Sequence, residues 1–302
     1  MHIPVLLHEV IEYLNLTSLP AGRQVPKEVI DATLDGGGHT LAILEQFPDI
    51  RVLGIEYDPV EYKEFKSNVE SLTSKSRLIT VNDSYVEMQA IAKANDFHPD
   101  GVLFDFGVSS WHYAASGRGF SFQKNEVLDM RFNPSVQTRT AADLVNLESQ
   151  EELERILAEL GEEQFSKQIS RAIVYTRQDK PILMTDDLVG LIRGAVPSWY
   201  RHKKINPATK TFQALRMAVN DELGNIRAGL EAAIEVTRPG GRIVAISFHG
   251  LEDKTVREVF NREAKAGRIR WVTKDTIKPK WAEVSKNPRA RSAKMKIAEK
   301  IL

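Results

Sequence analysis

The chain has no cysteine among its 302 residues, which removes disulfides, thiolate metal sites and any cysteine nucleophile together. It has no long apolar run either. Its hydrophobic stretches fall well short of the roughly 20 residues that a membrane-spanning helix needs, and no Lys or Arg precedes Arg23. The expectation is therefore a cytoplasmic protein without a basic-then-apolar leader or a membrane partner. Metal-ligand spacing is missing as well, since His2, His98 and His202 stand apart, and no catalytic metal is expected. No repeat or low-complexity tract interrupts a composition that is 42% apolar, enough to bury the core of one large domain plus an insertion, or of two domains.

Net charge is also absent, with 41 basic and 41 acidic side chains, but the balance conceals segregation. Residues 1–192 carry 17 basic and 30 acidic groups, whereas residues 193–216 carry six basic and none acidic. Residues 217–253 hold three basic and six acidic groups, and residues 254–302 hold 15 and five. The segment around residue 200 and the C-terminal fifth are thus candidates for a positive face suited to a phosphate backbone. The plain alternative is a solvated surface that balances an acidic half.

What is present begins with DATLDGGGHT at 31–40 and EYDP at 56–59. Residues 28–32 read as a short strand, and the three glycines after Asp35 let the backbone turn sharply and approach a ligand. A second apolar strand at 51–55 leads into Glu56, roughly where α/β nucleotide folds place a carboxylate for ribose hydroxyls. A dinucleotide would lay its pyrophosphate on a Gly-x-Gly-x-x-Gly turn. This loop lacks that spacing, and Asp31 and Asp35 would repel the phosphates. S-adenosylmethionine (SAM), with an ammonium and a sulfonium and no phosphate, suits the acids. A lone glycine-rich turn between strand and helix is the bland reading.

A charged helix at 59–72, a strand at 77–81, a helix at 85–95 and a strand at 101–106 follow, the last apolar on both faces like a buried parallel strand. Asp105 lies near its C-terminal end, the side on which open α/β sheets bind ligands. The alternation then stops for about a hundred residues. A loop at 109–132 precedes helices started by a Ser149/Glu152 capping box and closed by Gly161, then at 163–178 and from Thr185. A helical stretch at 208–236, broken at Gly224, returns the chain to a strand at 242–247. Segments 268–273 and 292–298 form a last strand pair.

In their order along the chain, DATLDGGGHT, FDFGVSS, GRGFSFQ, LDMRF, NPATKTFQALRMAVNDEL, GGRIVAISFHGLED and NPRARSAKMKIAE resemble the bacterial small-subunit (16S) ribosomal RNA (cytosine-N4)-methyltransferase family. The likeness runs from VLLHEV at 5–10 almost to the C-terminus. It implies an α/β, Rossmann-like class I methyltransferase with a central, mostly parallel seven-stranded sheet and an inserted helical subdomain. The SAM-dependent domain would be discontinuous, at 1–112 and 207–302, with a loop and helical substrate-recognition subdomain at 113–206. The implied reaction methylates N4 of one cytidine in the decoding region, on 16S rRNA within the small ribosomal subunit. The protein would act as a monomer or homodimer.

Carried over by residue, the resemblance implies that SAM contacts Gly37, Gly38, His39, Glu56, Tyr85, Asp105 and His112. The family usually has Asp at Glu56, Phe at Tyr85, Pro-Gln at Trp111-His112, His at Asn206 and Ser at Gly250. The residues themselves agree with an amino-nitrogen acceptor, because methylating cytosine C5 normally needs a cysteine adduct and there is no cysteine. N4 needs only positioning and a nearby proton acceptor, for which Asp105, Ser109 and Ser110 are candidates that the sequence does not rank.

A flipped cytosine is commonly held between aromatic or guanidinium planes. Arg118, Phe120, Phe122 and Arg131 form a candidate clamp, balanced against phenylalanines that merely pin the loop and an Asp129–Arg131 ion pair. Arg216 is a polar candidate for the substrate side of its helix, and His249, just past a strand end, is a candidate substrate contact or a structural residue. Arg201, Lys203, Lys204, Arg289 and Arg291 are the expected phosphate contacts. Two rivals remain: a ribosome-assembly factor that binds SAM and RNA with little catalytic activity, and a dinucleotide-dependent oxidoreductase.

Overall fold

The computed structural model describes residues 4–16, 27–69, 77–273 and 275–301. Two units emerge, Met1–Gly107 with Leu223–Leu302, and Val108–Glu222. The sequence reading put the insertion at 113–206. The helical unit is longer at both ends because Val108 and the helix at 208–220 pack into its own apolar cluster.

The first unit opens with α1 (Leu7–Tyr13), β1 (Glu28–Asp31), α2 (Gly38–Gln46), β2 (Arg51–Glu56), α3 (Pro59–Val69) and β3 (Leu78–Asn82). A 3-10 turn (Tyr85–Glu87), α4 (Met88–Ala94) and β4 (Gly101–Asp105) complete its first part. The helical unit contributes α5 (Ser110–Ala114), α6 (Ala141–Leu147), α7 (Gln150–Glu159), α8 (Ser166–Thr176), α9 (Thr185–Ala195), α10 (Ser198–Arg201) and α11 (Ala208–Asn220). The chain returns through α12 (Glu222–Val236), β5 (Arg242–Ser247), α13 (Gly250–Lys265), β6 (Ile269–Trp271), α14 (Trp281–Lys286) and β7 (Lys294–Lys300).

The seven strands lie in the order β3-β2-β1-β4-β5-β7-β6. All neighbours are parallel except β7, which runs antiparallel to β5 and β6. This is the Rossmann-like, mostly parallel seven-stranded sheet that the resemblance implies. Side chains alternate between faces with the period of two that a strand imposes. Ile30, Leu53, Val102, Phe104, Ile243 and Ala245 face Met88 and Ile91 of α4, Ile226 and Leu230 of α12, and Phe260 of α13. Val29, Val52, Leu103, Val244 and Ile246 face Val10 of α1 and Ile43 and Leu44 of α2. A sheet covered on both sides explains why β4 is buried throughout.

The helical boundaries differ from expectation for local reasons. The long helix breaks at Asp221, which takes a left-handed conformation (φ 44°), rather than at Gly224. Ser149 caps α7 by accepting the Glu152 N–H. After α7 the left-handed residue is Glu162 (φ 49°), while Gly161 serves close approach, since a Cβ there would lie 2.7 Å from the Lys210 carbonyl oxygen of α11. Segment 163–178 narrows to α8, and the start expected at Tyr85 is a 3-10 turn before α4. The end of the charged helix expected at 72 lies outside the described residues, and no described helix is long and apolar enough to cross a membrane.

Candidate active site

In the α/β unit the candidate residues gather at the C-terminal ends of β1, β2 and β4. Asp31 ends β1, and its carboxylate accepts the Thr40 hydroxyl at 2.6 Å, tying the strand to α2. Between them the loop turns through Asp35 (φ 46°) and Gly37 (φ 74°). A Cβ on Gly37 would sit 2.0 Å from the Phe65 ring, so both the conformation and the space exclude a side chain there. Glu56, ending β2, braces the loop: its two oxygens accept N–H groups from Asp35 and Asp58, each at 2.8 Å. Asp58 in turn accepts the Val60 and Glu61 N–H groups at the start of α3, where Pro59 suits the first turn.

His39 Nε2 is 2.9 Å from the Val5 carbonyl oxygen, which fixes Nε2 as the protonated nitrogen and leaves Nδ1 facing Asp105 at 3.9 Å. Asp105 is held at its backbone, where its N–H donates to the Thr33 hydroxyl at 2.7 Å. Its Oδ1 is buried with no hydrogen-bond partner among the described residues. An acceptor in that position requires a donor from a ligand or a proton of its own.

Burial first, and for Asp35, Glu56 and Asp105 neighbouring negative charge as well, raises the affinity of these carboxylates for protons. Burial pushes Asp31 up to about 7, against the pull of hydrogen bonds from Thr40 and Thr33. Burial likewise takes Glu56 to about 7, with the negative charge of Asp58 and Asp31 adding to it. Asp35 is held well above the usual carboxylate range by loss of water and then by Glu61, Glu56, Asp105 and Asp31, and Asp105 by burial, Asp31 and Glu252. Asp35, Glu56 and Glu61 bring carboxylate oxygens within 4.8 Å of one another. No Lys or Arg pairs with Asp31, Asp35, Glu56 or Asp105 among the described residues. The cluster is arranged to receive positive charge.

Tyr85 begins the 3-10 turn after β3, with its ring edge-on to Phe104 and Phe106 at 5.6 and 6.1 Å. It lies against α12 where Gly229 leaves room, since a Cβ there would be 2.4 Å from the ring. Thr33, Glu61 and Gly229 were missed by the sequence reading. Thr33 lies within DATLDGGG and was signalled by the motif, but Gly229 becomes relevant only through the tertiary fold. His249 caps α13: its ring accepts the Glu252 N–H while Glu252 accepts back from the His249 N–H.

In the helical unit the loop candidates are largely engaged with one another. Ser109 caps α5, and its hydroxyl lies 2.8 Å from His112 Nδ1. The buried His112 ring meets Phe120 and Phe132 edge-on at 4.9 and 5.1 Å. Phe120 is 4% exposed and stacks on Phe132, and Phe122 packs on Phe212. Both rings thereby pin the loop to the core. The Arg131 guanidinium is held by both Asp129 oxygens at 2.7 Å. Arg118 lies 5.3 Å over Trp111 and donates to the carbonyl oxygens of Arg131 and Phe132. Ser110 is the first residue of α5, and Arg216 is buried in an ion pair with Glu222 at 2.7 Å.

A model of the MraW methylase family matches residues 1–301. A protein from Carboxydothermus hydrogenoformans called "Ribosomal RNA small subunit methyltransferase H" is 40% identical over 99% of this chain and 98% of its own. Proteins of the same name from Geobacter sulfurreducens and Persephonella marina are 42% and 37% identical, each over 99% of both chains. With the sheet order and the acidic glycine loop already in place, the chain belongs to the MraW methylase family.

Proposed function

We propose that the protein transfers a methyl group from SAM to the exocyclic N4 of a cytidine in the decoding region of small-subunit ribosomal RNA. The observation that carries this reading is the group of carboxylates Asp31, Asp35, Glu56 and Asp105, which have no Lys or Arg partner among the described residues, with the orphaned Asp105 Oδ1 among them. A cofactor bearing a sulfonium and an ammonium fits that group, whereas a pyrophosphate does not. The names of the full-length relatives supply the ribosomal RNA class of substrate.

SAM when bound supplies an electrophilic methyl group. In the proposed site, Glu56 accepts the ribose hydroxyls with lone pairs left after bracing Asp35 and Asp58. Tyr85 presents an aromatic face toward the adenine. Gly37 and Gly38 let the backbone come close, the Thr33 hydroxyl holds the Asp105 N–H, and His39 stands beside Asp105, anchored at the Val5 carbonyl. Asp105 Oδ1 takes the remaining hydrogen bond, from the cofactor ammonium or the cytosine amino group, and in the second case is the nearest acceptor for the N4 proton. Ser109, as a cap, positions His112.

The deciding experiment incubates the protein with methyl-labelled SAM and unmodified small ribosomal subunits, then identifies the labelled nucleoside by mass spectrometry. N4-methylcytidine at one site is expected. Another labelled nucleoside refutes the acceptor, and SAM binding without label favours the assembly-factor reading.

A further inference from the structure

Two segments carry the excess positive charge, and the first of them presents an unusual surface. Between Asp187 and Asp221 the chain contains no acidic residue. Within this stretch Trp199 is 57% exposed although it is the largest apolar side chain available to bury. Its ring is held in place, edge-on to Phe165 at 5.8 Å and to Tyr200 at 5.7 Å. Tyr200 is in turn buried, with its hydroxyl donating to Glu163 at 2.8 Å. Lys203 rests its ammonium over the Trp199 and Tyr200 rings at 4.8 and 5.0 Å, and Arg201, Lys203 and Lys204 are all exposed.

A rigid, exposed indole inside an acid-free basic segment combines the two elements by which proteins hold single-stranded nucleic acid, an aromatic face and cations for the backbone. We propose that Trp199, with Arg201, Lys203 and Lys204, is a stacking platform for an unpaired base of the RNA substrate. This rests on the reading of the substrate as RNA. In the free protein Lys203 covers the platform; on binding, a base takes its place over the indole and the ammonium moves to a phosphate. The positive charge selects a polyanion over an apolar protein surface.

The test measures binding of the full chain to a labelled unstructured oligoribonucleotide and to a duplex of equal length, as a function of salt. Trp199→Ala should weaken single-strand binding about tenfold or more and leave duplex binding unchanged. Trp199→Phe should retain most of the affinity, which also guards against a folding defect. Neutralising Arg201, Lys203 and Lys204 together should lower the salt slope by about two, a change Trp199→Ala should not produce. Equal single-strand binding by wild type and Trp199→Ala overturns the platform, as does equal weakening toward strand and duplex. If wild type binds SAM but neither RNA nor small ribosomal subunits, the RNA reading itself fails.

Discussion

The acids of the helical unit and the acids at the strand ends of the α/β unit are kept in different ways. In the helical unit the acids described above are answered from within the unit, although Trp111 Nε1 and Thr211 Oγ1 are buried there without a hydrogen-bond partner among the described residues. Asp129 takes the Arg131 guanidinium, Tyr200 meets Glu163, and Asn220 bridges the backbone of Met130, Phe132 and Arg216. The α/β unit instead collects carboxylates at its strand ends, several of them held above their usual pKa by burial and mutual repulsion. Internally paired polar groups specify a structure, whereas like charges gathered together are stable only with protons or a cationic ligand. The contrast separates acids that are paired inside the fold from acids left without a Lys or Arg among the described residues, although both sets look equally polar in the sequence.

That contrast can be broken at defined points. Asp105→Ala should cut methyl transfer about a thousandfold or more while the purified protein melts at or above the wild-type temperature, because a strained acid has been removed. Normal turnover would return Asp105 to a structural role. Gly37→Ala should destabilise the α/β unit by about 2–4 kcal/mol through the Phe65 clash and the positive φ, read by denaturant titration, and should also weaken SAM binding. Arg131→Ala should cost about 2 kcal/mol by removing the two guanidinium hydrogen bonds to Asp129 and leaving only the one from the backbone N–H of residue 131, yet SAM affinity measured by calorimetry should stay unchanged. Loss of SAM affinity in that variant would erase the division of labour.

The smallest effect is a pH dependence of opposite sign for stability and binding. Asp31 and Glu56 titrate near 7 in the folded protein and near 4 when unfolded, so the folded state holds more protons between those values. Their contribution to ligand-free stability is fully present below about 4 and is lost as pH rises through 7. Binding a cation needs the ionised carboxylates, so SAM affinity should increase from pH 6 to 8 and binding should release protons. Calorimetry in buffers of different ionisation enthalpy checks this; a buffer-independent enthalpy at pH 6.5 would refute it.

Strands were legible because burial on both faces leaves continuous apolar runs, and β1, β2, β4 and β5 lie within a residue of their expected ends. The acidic glycine loop was legible because conformational demand and charge coincide within ten letters. Side-chain partnership was not. Arg131 and Arg118 have the composition of an RNA clamp, and only the three-dimensional position of Asp129 and of the loop carbonyls shows where their donors go. Gly224 was a natural place to break a helix, yet Asp221 does so, since an aspartate also tolerates the left-handed region and local sequence does not choose between them.

The sheet order has a consequence for synthesis. One edge of β4 pairs with β1, which precedes it, but the other waits for β5, and the whole helical unit lies between them in the chain. On the translating ribosome the helices therefore emerge and close their own core while β4 still presents an open row of amide and carbonyl groups, the kind of edge that recruits other strands. Completion of the α/β sheet depends on β7, the last of the described strands along the sequence, inserting between β5 and β6, so a chain cut before β7 would leave β5 and β6 without the strand that joins them.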